Sequence, residues 1–185
     1  MPTDREEADY RNNPLLSVTQ VLKDCGLYPP MDFVQPEDLS FGQYGHRAVE
    51  LFERGELRIN TLDPLLRPRL DAWQDFKAKT GWESAGIEEP LYNKALRLKG
   101  RPDFTGKMRG QPRVVLDLKM GVIADVTALQ LAGYEVLLGG EWERIAVQLK
   151  ADGKYSLKHF TDYEDRATFL GALRARVWAL DHNGR

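Results

Sequence analysis

The chain has 185 residues, 42% of them hydrophobic and 29% charged, and 26 Lys+Arg against 28 Asp+Glu give a net charge of −2. That length and balance fit one globular domain able to bury a sizeable core, and they exclude a globally basic nucleic-acid coat. The single cysteine, Cys25, excludes an intramolecular disulfide and any all-cysteine zinc or iron–sulfur site, and it favours a reducing, cytoplasmic setting. No apolar run reaches the roughly 18 residues that span a bilayer, and the N-terminus opens with acids rather than a basic and then apolar leader, so neither membrane insertion nor secretion is expected.

Residues 1–14 are polar and aperiodic and read as a flexible N-terminal arm ahead of a single domain over 15–185. Ser17-Val-Thr-Gln20 has the form of a capping box, so a short helix is expected from there to Asp24, with Gly26 stopping it and Pro29-Pro30 marking a loop. A second helix fits Gln43 to about Arg54, with Val49 and Phe52 inward, Gly55 at its exit and His46 in its first turn. Asp63-Pro64 reads as an N-cap followed by proline at the first helical position, and Leu66, Leu70, Trp73 and Phe76 continue a third helix to Gly81. From Trp82 the pattern changes to short runs: Ile87 to Tyr92, Ala95 to Leu98, Asp103 to Lys107 and Arg113 to Met120, the last two joined into an antiparallel hairpin by Met108-Arg-Gly-Gln111. Asp125 is placed to cap a helix to Leu138. Arg144 to Lys150 and Tyr155 to Phe160 flank the turn signal Ala-Asp-Gly153, and a last helix runs from about Tyr163 to Leu180 with Phe169, Leu173, Val177 and Leu180 on one stripe. This order predicts an α+β fold with a central mixed sheet flanked by helices.

The chemistry concentrates in Arg113 to Lys119. Along a strand Val114, Leu116 and Leu118 line one face while Val115, Asp117 and Lys119 line the other, so two opposite charges emerge side by side from an apolar strand. An isolated pair of this kind is more often a solvated edge. Asp103 separates the readings, because the hairpin brings it towards Asp117 on the same face. Two carboxylates and the Leu118 carbonyl suit a hard divalent cation such as Mg²⁺, which would activate a water and screen a phosphate, while Lys119 positions or deprotonates that water or holds the phosphate. Local charge agrees: Asn93 to Lys119 holds eight basic residues against two acids.

Pro102-Asp103, thirteen residues, then Asp117-Leu118-Lys119 resembles the signature of the PD-(D/E)XK nuclease superfamily. Gly42-Gln-Tyr-Gly-His46, Gly100-Arg-Pro-Asp103 and Gln130-Leu-Ala-Gly-Tyr134 are similar to the glycine–histidine, Gly-x-x-Asp and Gln-x-x-x-Tyr motifs of its RecB-like exonuclease branch. Ser17-Val-Thr-Gln-Val-Leu22 resembles the opening motif of phage-type exonucleases. The resemblance covers Ser17 to Leu138, about two thirds of the chain, and lies in the joint order of motifs that are each weak alone.

The resemblance implies a restriction-endonuclease-like fold and a Mg²⁺- or Mn²⁺-dependent deoxyribonuclease. It implies an exonuclease acting on single-stranded DNA or DNA ends in recombination, repair or phage DNA processing. It makes His46 a metal ligand beside Asp103, Asp117 and Leu118, with Lys119, Gln130 and Tyr134 completing the catalytic set. Glu89 resembles a further acidic position near the metal, for which Glu88 competes. Ser17 is a candidate phosphate contact, although capping explains it fully. Lys94, Arg97, Lys99, Arg101, Lys107 and Arg109 form the candidate DNA-binding surface, where a merely solvated face is the alternative. Trp73, Trp82, Trp142 and Trp178 are candidates to stack on bases, with core packing favoured for Trp73 and Trp178. No iron–sulfur cluster is expected, and without a helicase motif any unwinding falls to a helicase or recombination protein as partner. A structure-specific endonuclease of the same superfamily and a non-catalytic nucleic-acid-binding module are the competing readings.

Overall fold

The computed structural model describes residues 14–28 and 36–182. Residues 1–13 of the expected arm over 1–14, and Pro29-Pro30, lie outside them. In chain order the elements are β1 (Leu16–Ser17), α1 (Val18–Asp24), α2 (Pro36–Glu53), a single 3₁₀ turn (Ile59–Thr61), α3 (Arg67–Thr80), β2 (Glu83–Ile87), β3 (Leu91–Asn93), β4 (Leu98–Gly100), β5 (Phe104–Met108), β6 (Gln111–Lys119), α4 (Val126–Leu138), β7 (Glu143–Leu149), β8 (Tyr155–Phe160) and α5 (Glu164–His182).

A five-stranded sheet in the order β2-β5-β6-β7-β8 forms the centre, and a small three-stranded sheet, β1-β4-β3, stands beside it. The main sheet is mixed: β6 and β7 run parallel, joined by α4 as the crossover that parallel pairing requires, and the other pairs are antiparallel. The alternation read from β6 holds. Val114, Leu116 and Leu118 pack with Val49 of α2 and Trp73 and Phe76 of α3, whereas Val115 packs with Val18 of α1, Leu131 of α4 and Phe169 of α5. The fold is therefore α+β, with helices on both faces of a mixed sheet. No helix among the described residues is long and apolar enough to cross a membrane.

A buried carboxylate fastens α2 to this frame. Glu53 accepts hydrogen bonds from the Trp73 indole at 2.9 Å, the Lys77 ammonium at 2.6 Å and the Ser84 hydroxyl at 2.6 Å. Three donors on one buried carboxylate offset its desolvation and fix the angle at which α2 meets α3 and β2.

Several local expectations are corrected. The second helix begins at Pro36, not Gln43, because proline followed by acids is a favourable first turn and the helix tolerates Gly42 and Gly45; His46 is therefore mid-helix. Asp63 accepts from the Leu65 amide in a turn, and the third helix starts only at Arg67. Ile87 to Tyr92 is not one strand but the end of β2, a break at Glu88-Glu89-Pro90 and the start of β3. Ala95 to Leu98 is mainly a turn in which Arg97 takes a positive φ of 53°. A small second sheet, β1-β4-β3, accompanies the expected central mixed one. Ser17 caps α1 through the Gln20 amide, but the Gln20 side chain turns to Asp24, so the reciprocal half of the box is absent. Asp125 precedes α4 without a side-chain cap bond and pairs with Lys158 instead. Trp73 is core as expected, whereas Trp178 is 60% exposed and stacks on His182.

Candidate metal centre and its surroundings

The hairpin register decides where the two acids stand. Phe104 pairs with Leu116, so one step further along β5 and β6 the facing positions are Asp103 and Asp117. Asp103 Oδ2 accepts the Leu118 amide at 2.7 Å and lies 3.4 Å from His46 Nδ1. Asp117 is buried, and its Oδ2 lies 2.7 Å from Lys119 Nζ in an ion pair whose angles miss a directed hydrogen bond, leaving that oxygen without a hydrogen-bond partner.

A third acid joins them. Ligand atoms of His46, Glu88 and Asp103 lie within 4.8 Å of one another, an arrangement that could hold a metal ion. Glu88 reaches this point because its backbone is left-handed, φ 53°, a conformation that a glutamate rarely adopts. Its amide donates to the Asp103 carbonyl at 3.0 Å, and the preceding Ile87 carbonyl accepts from Arg54 at 3.1 Å, so the strained residue is locked on both sides. Of the adjacent acids, it is thus Glu88 that enters the cluster. Glu89 is exposed, its carboxylate lying beside Gly86.

The electrostatics are those of an acidic pocket short of cations. Burial pushes the Glu88 carboxyl up to about 7, with Asp103 and Glu50 adding to it. Burial likewise lifts Asp117 to about 6, since Lys119 offsets only part of burial and of repulsion by Asp103. Asp103 is the group favoured as an anion: burial opposes its charge, but His46 and the Leu118 amide hold it below the ordinary range. Burial would lower His46 and Lys119; the facing carboxylates outweigh it and raise both. A divalent cation fits this donor set of two or three carboxylates and one imidazole, and the Asp117 oxygen, met by the Lys119 ammonium without a directed hydrogen bond, is open to one.

Helix α4 brings Gln130 and Tyr134 to the rim. Gln130 Nε2 donates to the Tyr134 hydroxyl at 3.3 Å, and burial, then Asp103 and Asp117, hold the phenol well above its ordinary range as a neutral group. Gly100 gives Tyr134 its place, because a Cβ there would stand 3.0 Å from the ring and 2.7 Å from Leu137 Cδ1. Gly45, the residue before His46, leaves room for Met120, whose side chain a Cβ there would meet at 2.6 Å.

The basic candidates divide. Lys99 on β4 is exposed and pairs in register with Ser17 of β1, and exposed Arg101 stands 4.0 Å from Glu88. Lys94 lies in the turn after β3. Arg97 is turned to α5 in an ion pair with Asp181, 2.5 Å. Lys107, paired with Glu83 at 2.9 Å, and Arg109 sit at the closed end of the β5–β6 hairpin, away from Asp103. Trp82 is buried and Trp142 lies beneath Arg113.

No protein-family profile matches the chain, and no curated protein sequence does. Among solved structures, it is similar to a candidate exonuclease from Eubacterium rectale, with 11% identity and a TM-score of 0.53 over 99% of this chain and 87% of that one. It is also similar to an alkaline exonuclease from Laribacter hongkongensis, with 10% identity and a TM-score of 0.43 over 97% of each chain. What the chain shares with the Eubacterium rectale protein is the fold, a mixed sheet flanked by helices.

Proposed function

We propose that the chain is a metal-dependent deoxyribonuclease of the PD-(D/E)XK superfamily, built as a single nuclease domain over 15–185 and belonging to the RecB-like or phage-type exonuclease branch. The observation that carries the reading is the meeting of His46, Glu88 and Asp103 within 4.8 Å, next to the buried Asp117–Lys119 pair. The fold shared with a candidate exonuclease supports it.

His46, Asp103, Asp117 and the Leu118 carbonyl, with Glu88, would hold Mg²⁺ or Mn²⁺. When bound, the ion supplies a water of lowered pKa and neutralises phosphate charge. The remaining roles fall to the chain. Lys119, held cationic by Asp117, positions the attacking water and a phosphate oxygen rather than acting first as a base. Asp103, favoured as an anion and fixed by the Leu118 amide, orients the imidazole. Gln130 and the neutral Tyr134 phenol donate hydrogen bonds at the rim, and Lys99 and Arg101 attract the DNA backbone.

The substrate on this reading is single-stranded DNA or DNA ends, opened where necessary by a helicase or recombination protein, in cytoplasmic repair or phage DNA processing. The experiment is a time course on end-labelled single- and double-stranded DNA with Mg²⁺, Mn²⁺ or EDTA, with Lys119→Ala beside the wild type. Metal-dependent cleavage that the variant loses is the expected result, and the product ladder separates exonuclease from endonuclease. DNA binding without cleavage by the wild type would replace the enzyme with a non-catalytic module.

A further inference from the structure

Met120-Gly-Val-Ile-Ala124 is an uninterrupted apolar stretch in the crossover that follows Lys119, where polar turn residues are the rule. Val122 at its tip is 84% exposed and belongs to neither hydrophobic cluster among the described residues. An exposed apolar tip is ordinary when it is mobile, but this one is pinned. Gln148, the register partner of Lys119 on β7, donates from Nε2 to the Gly121 carbonyl at 2.9 Å, and its Oε1 accepts the Ser156 hydroxyl at 2.9 Å, so the amide is held in one orientation. On the other side Met120 lies against Gly45, the residue before His46. At the far end Asp125 pairs with Lys158 at 3.0 Å. An apolar tip is thus held three residues beyond Lys119, in a stretch from Met120 to Ala124 without a charged or hydroxyl side chain that would recognise phosphate or sugar.

Resting on the deoxyribonuclease reading, we infer that this loop is a platform for a nucleobase of the strand being cut, with Val122 the contacting side chain and Gln148 its positioning residue. A base offers a flat apolar face whatever its identity, so such a contact selects an unstacked strand without reading sequence. A base still stacked and paired within a duplex presents no such face to a loop tip. The platform therefore selects single-stranded or frayed substrates.

The test compares two single-stranded oligomers with the same phosphate backbone, oligo-dT and an abasic tetrahydrofuran oligomer, cleaved by the full chain with Mn²⁺. The wild type is expected to prefer oligo-dT by about tenfold in kcat/KM, the size of one apolar side-chain contact. Val122→Ser, which adds no charge, and Gln148→Ala should bring that ratio towards one. Val122→Ile should keep it, as should Tyr163→Ser, which alters another exposed side chain. A ratio unchanged by Val122→Ser, or a wild type without preference, overturns the platform alone. Failure of the wild type to cut either oligomer while it cuts end-labelled duplex DNA also overturns the platform alone, and failure to cut all three overturns the nuclease reading and the platform with it.

Discussion

Asp103 accepts the main-chain amide of Leu118 at 2.7 Å, so the carboxylate that faces His46 is held by the backbone of the strand that carries Asp117 and Lys119. The bond makes the acid a part of the sheet as well as of the site. Asp103→Asn retains a side-chain oxygen for that amide while removing the charge. We expect the fold to persist in the variant and the stabilisation by Mn²⁺ to vanish. In the wild type, saturating Mn²⁺ at about a hundred times its Kd should add roughly 2.7 kcal/mol, visible as a rise in Tm. A variant that still rises with Mn²⁺ would remove Asp103 from the donor set.

The pocket acids give the metal-free protein an inverted pH profile. Glu88 titrates near 7 in the folded chain against 4.5 ordinarily, and Asp117 near 6 against 3.8, so the unfolded chain releases these protons first as pH rises. Stability in EDTA should therefore be greatest near pH 4.5 and fall towards pH 7, by on the order of 1–3 kcal/mol from Glu88. His46 moves the same way, because its raised folded pKa gives stability that is lost as pH rises through it. Urea melts from pH 4.5 to 8 should show the fall in the wild type and a shallower one in Glu88→Gln.

Glu53 joins three donors at one buried point. Glu53→Ala strands the Lys77 ammonium and the Trp73 and Ser84 donors, and should cost about 3–5 kcal/mol in denaturant unfolding. Lys77→Met alone should cost less, because two hydrogen bonds to the carboxylate remain.

Two glycines should respond in opposite directions. A Cβ at Gly106 would stand 2.3 Å from the Glu83 carbonyl and 2.9 Å from Trp82 Cη2, both fixed, so Gly106→Ala should lose about 3 kcal/mol or more and disturb the β2–β5 pairing. A Cβ at Gly42, inside α2, meets nothing within 4 Å, and Gly42→Ala should gain about 0.5–1 kcal/mol from helix propensity. Thermal melts of the two variants check both signs. A destabilising Gly42→Ala would give that glycine a role beyond the helix.

What the sequence made legible follows its physical period. Burial on both faces of β6 imposes an alternation of two, so Asp117 and Lys119 stand out from Val114, Leu116 and Leu118, and the turn at Met108 to Gln111 brings Asp103 towards Asp117, although the bulge between Gly106 and Met108 that shifts the register by one residue and sets the two acids opposite each other has no signal in the sequence. What it hid depends on single backbone angles and long-range packing. Glu88 and Glu89 are chemically alike, and only the left-handed turn at Glu88 sends its carboxylate rather than its neighbour's to His46. The apolar run through Ala95, Leu96 and Leu98 contains no turn signal, yet Arg97 takes a positive φ there and is drawn to Asp181 on the last helix. Val177 and Leu180 carry the stripe of the last helix against the core, whereas Trp178 between them faces outward and stacks on His182.

The attachment of α2 through Glu53 also ranks the order in which the molecule opens. The carboxylates at Asp103 and Asp117 belong to the central hairpin, whereas His46 rides on a helix that meets the sheet largely through one buried acid and a few apolar side chains. Amide exchange should therefore be faster along α2 than along β5, β6 and β7. In such an opening the imidazole departs while both aspartates stay in place, so the donor set dissolves and re-forms one ligand at a time without global unfolding.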